Sequence, residues 1–155
     1  MLVAACSGGS EAEVEVRDSA AVKSDTKKVS SRVLDMLALE GKATETGVMT
    51  MRCSDFDADE KIYRARHPWS VYDASFADMR AAFDRLRGEF PKNGWKIVKD
   101  GSDGTAGKSP QIVAESEGGD FAVDVRLHEE NGTQNAPALL TITVESACYK
   151  GSGSS

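Results

Sequence analysis

The sequence predicts an α+β fold in which an antiparallel sheet of about five to six strands carries two helices on one face. Apolar residues recur at helical spacing in two segments and at alternate positions in several others. Gly118-Gly119 and Asn131-Gly132 supply turn residues between consecutive strand segments, which favours antiparallel neighbours. With 155 residues and 40% hydrophobic content, the chain has the size and composition of one globular domain.

The predicted order is helix, strand, strand, helix and then four strands. The first helix is predicted over residues 29–37, with Gly41 as its stop, and the second begins at Ser75 and ends near Pro91. One face of the second helix carries an apolar stripe, formed by Phe76, Met79, Phe83, Leu86 and Phe90. Strands are expected near residues 49–53, 61–72, 95–99, 111–116, 121–128 and 139–146. The sheet face away from the helices is expected to be exposed to solvent.

The N-terminus, Met1 to Cys6 followed by Ser7-Gly8-Gly9-Ser10, resembles the bacterial lipobox at the start of a mature lipoprotein. The resemblance implies that Cys6 carries the lipid and anchors the protein to a membrane. A complete export signal has a basic segment and an apolar core of about 7 to 15 residues, so we expect a leader upstream of Met1. The alternative is an incidental thiol at Cys6.

This interpretation divides the chain into four parts. Residues 1–6 are the remainder of the lipoprotein signal, and residues 7–28, rich in small and charged side chains, form a flexible polar tether. Residues 29–150 form a single α+β domain. Residues 151–155 are a disordered tail.

The two other cysteines, Cys53 and Cys148, lie in the body of the chain, and in an exported protein such a pair is interpreted as a disulfide. Cys53 alternates with Met49 and Met51, and Cys148 continues the alternation of the last strand, so both are expected on the apolar face. We predict a Cys53–Cys148 disulfide that ties the first strand to the last, and two buried free thiols are the alternative. In the chain-entropy model such a bond contributes about 4 to 5 kcal/mol.

No catalytic, metal or cofactor site is predicted, although two segments resemble one. Gly107-Lys108-Ser109 ends like a phosphate loop, but Ser102 stands where the first glycine belongs, and Pro110 and a strand follow instead of a helix. The alternating aspartates before residue 60 lack the glycine and glutamate of a calcium loop, because Glu60 and Arg66 occupy those positions.

The two histidines are also expected to have structural surroundings. His67 is interpreted as a hydrogen-bonded core residue and His128 as exposed, which makes a poor zinc site. The net charge of −6 argues against nucleic acid as a partner.

Three arginines, Arg64, Arg66 and Arg126, are candidates for contact with a partner or an anion, because all three fall on the polar side of their predicted strands. The alternative is that they pair with Asp124 and with glutamates of adjacent strands.

Beyond the lipobox, residues 93–98 and 141–148 resemble small cell-envelope lipoproteins of actinobacteria, especially Streptomyces-like ones. The resemblance implies a lipid-anchored place on the outer face of the cell membrane and transfers no catalytic residue. The predicted function is a non-enzymatic binding or structural module, whose partner is an envelope protein or a small ligand. The alternatives are an envelope hydrolase with a nonstandard site, which a pocket lined by carboxylates or His67 would favour, and a secreted inhibitor or immunity-type protein, which would show one exposed apolar patch.

Overall fold

The computed structural model of the chain describes residues 14–131 and 137–151. Cys6 and residues 7–13 of the predicted tether lie outside this part. The described helices and strands follow in the order β1 (Val16–Arg17), α1 (Ser19–Leu37), β2 (Lys42–Ala43), β3 (Met49–Arg52), β4 (Ile62–Tyr72), α2 (Phe76–Lys92), β5 (Trp95–Ser102), β6 (Pro110–Ser116), β7 (Phe121–His128), β8 (Leu139–Ser146) and β9 (Tyr149–Gly151). Single 3₁₀ turns lie at Ala58–Glu60 and Glu117–Gly119.

The sheet is mixed, and among the described residues it has nine strands. Its order is β1-β9-β4-β8-β7-β6-β5, with β2 and β3 also paired to β4. Every pair is antiparallel except β1 with β9. The α+β class with two helices is confirmed, whereas the fully antiparallel sheet of five to six strands is corrected. The additional strands are two or three residues long, too short for a detectable alternation.

One face of the sheet packs against both helices in a single core. Directly opposed residues share a face, and the rows Trp69–Ile142–Val125–Ile112 and Val144–Val123–Ala114 put apolar side chains on this side. These residues pack with the apolar faces of the two helices in one buried cluster. The opposite face carries no helix among the described residues, and we call it the open face.

Helix α2 forms as the sequence predicts. Ser75 caps it by accepting a hydrogen bond from the backbone N–H of Asp78 at 3.0 Å. Four residues of the predicted stripe are fully buried, and Phe76 is partly buried; the four are Met79, Phe83, Leu86 and Phe90.

Strand β1 lies at Val16–Arg17 and helix α1 begins at Ser19, well before the predicted start, so the prediction that residues up to 28 belong to a flexible tether is corrected for 16–17 and 19–28. Asp18 caps the helix by accepting from the backbone N–H of Ala21 at 3.0 Å. Val22 and Thr26 are fully buried, and the Thr26 hydroxyl donates to the Val22 carbonyl at 2.7 Å. The first half of α1 resembles a polar tether in the sequence because the partners that bury Val22 and Thr26 are distant along the chain.

The ends of the predicted segments also differ. Helix α1 stops at Leu37, where Ala38 takes a left-handed backbone with φ of 47°, so Gly41 is not the stop. Gly151 belongs to β9, so the prediction that the disordered tail includes it is corrected. Residues 152–155 lie outside the described part.

Cys53 and Cys148 form the predicted disulfide, with sulfurs at bonding distance. The pair lies on the open face, not on the apolar face. Met49 and Met51 oppose Arg66 and Arg64, which places the side of β3 that leads to Cys53 on the open face.

A bulge explains the orientation of Cys148. From the pair Arg66–Glu145 to the pair Tyr63–Tyr149, β4 moves by three residues while the opposite segment moves by four. The additional residue lies between β8 and β9, so the alternation of β8 does not extend to Cys148.

Candidate functional site

The open face contains a shallow depression of about 430 Å³. Its floor is small or apolar, and charged and polar side chains stand around it. The lining residues that carry side-chain chemistry are Arg66, Asp124, Arg126, His128, Thr141, Thr143 and Glu145, with Val113 and Ala122 in the floor. Strands β4, β8, β7 and β6 lie side by side here, so the sheet itself positions these groups.

At one end of the depression, two arginines share one carboxylate. Arg64 donates to Glu145 Oε1 at 3.0 Å, and the Nε of Arg66 lies 3.7 Å from Oε2 of the same group. The Arg66 side chain is 39% exposed. Because two guanidinium groups face one carboxylate, this end carries an excess of positive charge.

At the other end, Arg126 lies between two acids. Its Nε and second guanidinium nitrogen are 3.2 and 3.3 Å from the Asp124 carboxylate, and its remaining nitrogen is 3.6 Å from Asp103. The hydrogen bonds that Arg126 donates to the Asp124 carboxylate raise the pKa of Arg126. Hydrogen bonds from the hydroxyl and backbone of Thr105, with a weaker contribution from the Arg126 charge, lower the pKa of Asp103. Because one guanidinium group faces two carboxylates, this end carries an excess of negative charge.

The structure brings Arg64 and Arg66 together and separates both from Arg126. Arg66 opposes Glu145 on β8, whereas Arg126 opposes Thr141 of the same strand, four residues earlier in the chain. The alternative in which these arginines pair with Asp124 and a neighbouring glutamate is what the structure has. A contact with a partner or an anion stays a prediction.

The segment that resembled a phosphate loop belongs to the turn between β5 and β6, which contacts two lining residues of the depression, Arg126 and His128. Asp103 donates its backbone N–H to the Ser109 carbonyl at 2.9 Å, and strand β6 follows directly. Ser109 and Thr141 hydroxyls lie 3.0 and 3.1 Å from the two ring nitrogens of His128. The expected exposure of His128 is corrected, because the side chain is partly buried between these hydroxyls.

A buried amide lies beneath this turn. Gln111 is 4% exposed and donates to Asp124 Oδ2 at 2.9 Å, while its carbonyl oxygen has no hydrogen-bond partner among the described residues. Asp124 thus accepts from both Gln111 and Arg126, which holds its carboxylate in place. Sequence alternation placed Gln111 in a strand but gave no signal of its burial.

A second cavity, of about 210 Å³, lies on the helix side between α1 and the segment that joins β2 to β3. Its lining includes Ser30, His67 and Trp69, together with Lys27 and Glu45. Here the Trp69 indole N–H donates to the Ser30 hydroxyl at 3.1 Å. The Ser30 hydroxyl lies 2.7 Å from His67 Nδ1, and His67 Nε2 lies 2.9 Å from the Thr46 carbonyl oxygen.

These contacts fix the direction of every hydrogen bond in the network. The Thr46 carbonyl only accepts, so His67 Nε2 carries a proton, and in the neutral imidazole Nδ1 then accepts from Ser30. Burial, followed by the weaker repulsion from Lys27, lowers the pKa of His67 against the opposing effect of the Thr46 hydrogen bond. The prediction of a hydrogen-bonded core histidine is confirmed, but Ser30 was missed because a serine within a helix gives no pattern.

Several other features bear on the possible functions. Among the described residues, no cluster of three or more His, Cys, Asp or Glu side chains could hold a metal ion. None of the described helices has the length and hydropathy needed to span a bilayer. Of the residues that the structure describes, the exposed large apolar side chains are Val16, Met49, Met51, Tyr72 and Val98.

Fold and site together define an α+β protein whose sheet has one helix-covered face and one open polar face, with the disulfide on the open face. No protein-family model, curated protein or solved structure matches the chain.

Proposed function

We propose that this protein is a non-enzymatic binding module of the bacterial cell envelope, anchored through Cys6 and binding its partner at the depression on the open face. One observation carries the binding part: the depression offers about 430 Å³ of space bordered by charged groups on a rigid sheet. The lipobox around Cys6 supports the anchor.

The charges favour a ligand that carries both an acidic and a basic group, such as a peptide segment. Within the described part of the chain, Arg66 has a single long ion pair, at 3.7 Å, and its side chain is accessible to a ligand carboxylate. A basic group fits the Asp124 end, where two acids surround one arginine. A simple anion would also face Glu145 and Asp124, which makes it a poorer match.

Photo-crosslinking from the depression tests this proposal. A photoreactive amino acid replaces Thr143 in the centre of the lining, and in a matched control it replaces the exposed Arg80 of α2. In envelope extracts the Thr143 probe should give a discrete adduct that disappears when Arg66→Glu is added. Adducts of the same pattern from both positions, or none from Thr143, would contradict a binding site on the open face.

The anchor is tested separately by mass spectrometry of the protein made with its own upstream leader. The expected product begins at an acylated Cys6 and sediments with membranes, and a Cys6→Ser variant should be released from them. An unacylated N-terminus would refute the anchor and would leave the proposed binding site unaffected.

An envelope hydrolase is the second candidate, favoured by the hydrogen bond between Ser30 and His67 beside a cavity. Against it, both side chains are 4% exposed, and the Trp69 N–H already occupies the hydroxyl. A serine-directed fluorophosphonate should therefore leave the protein unlabelled. Labelling that is lost in Ser30→Ala would establish the hydrolase instead.

A further inference from the structure

The guanidinium group of Arg64 lies across the disulfide. Its Nε is 3.4 Å from the Cys53 sulfur, and its Nη2 is 3.4 Å from the Cys148 sulfur. We propose that the Cys53–Cys148 bond is a site of thiol–disulfide exchange, in which a thiolate attacks Cys148 and Arg64 stabilises the thiolate that leaves from Cys53.

Access to the two sulfurs is unequal, which decides which one is attacked. Cys53 is 1% exposed, whereas Cys148 is partly exposed at the bulge between β8 and β9. A cavity of about 230 Å³ on the open face includes Cys148 and Arg64 in its lining, together with Phe121. An incoming thiol can therefore reach Cys148.

The local charge favours a departing thiolate. A cationic neighbour lowers the pKa of a cysteine thiol, and a thiol of lower pKa leaves faster. Arg64 divides its charge between the disulfide and Glu145, but Arg66 also binds Glu145, so one carboxylate is shared by two guanidinium groups. Glu115 on the far side of the cavity is the other acid in the lining.

The exchange is balanced with a dithiol as reductant. Its first thiolate attacks the Cys148 sulfur, so a mixed disulfide forms at Cys148 and the bond to Cys53 breaks, with the electron pair remaining on Cys53. The second thiolate of the dithiol then attacks the first dithiol sulfur, which is bound to Cys148, so the dithiol closes into its own disulfide and Cys148 leaves as a thiolate. Two electrons pass to the protein, and the two protons lost by the dithiol protonate the thiolates of Cys53 and Cys148. The opened chain loses a link across 95 residues.

The first test is the rate at which dithiothreitol opens the disulfide of the folded protein, followed by alkylation and mass spectrometry. We expect the rate to rise linearly with thiol concentration and to fall roughly tenfold in Arg64→Gln. Arg64→Lys should recover part of the rate. Arg52→Gln, which removes an equal charge next to Cys53 without contacting a sulfur, should resemble the wild type. If Arg64 only shields a structural disulfide, Arg64→Gln would react faster, and that result would overturn the proposal.

The second test uses the wild-type protein alone, so it holds even if the Arg64 variants fail to fold. Brief treatment with glutathione, acid quenching and peptide mapping show which cysteine carries the mixed disulfide. We expect it on Cys148. A mixed disulfide on Cys53, or a rate that saturates at the rate of unfolding, would refute direct attack at Cys148.

Discussion

Ser30 Oγ lies 2.7 Å from His67 Nδ1, and this contact joins helix α1 to strand β4 within the core. The same hydroxyl accepts the Trp69 N–H, so Ser30 satisfies two buried polar groups at once. Ser30→Ala leaves both without a partner and should lower the free energy of unfolding by about 2 kcal/mol. Urea denaturation measures this change. Ser31→Ala, at an exposed neighbouring position, is the control and should stay within about 0.5 kcal/mol; equal effects would mean that the network contributes nothing.

His67 should make the protein sensitive to acid. Burial lowers its pKa below the ordinary 6.5, so below that pH the unfolded chain binds a proton that the folded one resists. The contribution of neutral His67 is therefore complete above pH 6.5 and is lost as the pH falls toward the lowered folded pKa. Urea unfolding at a series of pH values measures this slope.

His67→Gln is the matched variant, because its amide can donate to Thr46 and accept from Ser30 but does not titrate. It should be somewhat less stable at pH 7.5 and should lose less stability than the wild type between pH 6.5 and 5. NMR can follow the titration of His67 in the folded protein. Protonation at or above the ordinary pKa of 6.5 would show this reasoning to be wrong.

The N-terminal half of α1 should behave as part of the core. Val22 is fully buried against Ala65 and Tyr149, and the Tyr149 hydroxyl lies 2.8 Å from the Ser19 hydroxyl. Val22→Ala should reduce stability by about 1 to 2 kcal/mol. The exposed Lys23→Ala should change it by less than about 0.5 kcal/mol. If the two variants were alike in thermal unfolding, residues 19–28 would act as the tether that the sequence indicated.

The sequence predicts the segments whose apolar periodicity is long and uninterrupted. The apolar stripe of α2 and the alternating apolar residues of β7 and β8 pack into the core as the pattern predicts, so local pattern and tertiary packing agree. The disulfide pairing was also predictable, because two cysteines in the body of a chain that is expected to be exported have few other uses.

The orientation of that disulfide was not predictable. Apolar side chains at Met49 and Met51 suggested a buried face, yet they stand 46% and 38% exposed beside arginines, and only the strand pairing reveals it. The bulge before Cys148 reverses the second assignment, so two errors of face cancelled and left the pairing correct. Ser30 and Gln111 remained undetected because the partners that bury them are distant in the sequence.

Two positions after α1 are both expected to favour glycine over alanine, Ala38 because of its backbone conformation and Gly41 because of a close contact. Ala38 takes the left-handed conformation, with φ of 47°, where a Cβ atom is unfavourable by about 1 to 2 kcal/mol. Ala38→Gly should therefore stabilise the protein by about 0.5 to 1 kcal/mol, after the larger entropy of glycine in the unfolded chain is subtracted. A Cβ at Gly41 would lie 2.9 Å from the Tyr72 carbonyl oxygen, so Gly41→Ala should be destabilising by about 1 to 3 kcal/mol.

Gly88 in α2 provides the control for adding a methyl group, because a Cβ there meets nothing within 4 Å. Gly88→Ala should stabilise the protein by about 0.5 to 1 kcal/mol through helix propensity alone. Urea midpoints of the three variants should therefore rise for Ala38→Gly and Gly88→Ala and fall for Gly41→Ala. A higher urea midpoint for Gly41→Ala would mean that the chain between α1 and β2 does not approach Tyr72 closely. It would also contradict the close packing of β2 against the end of β4.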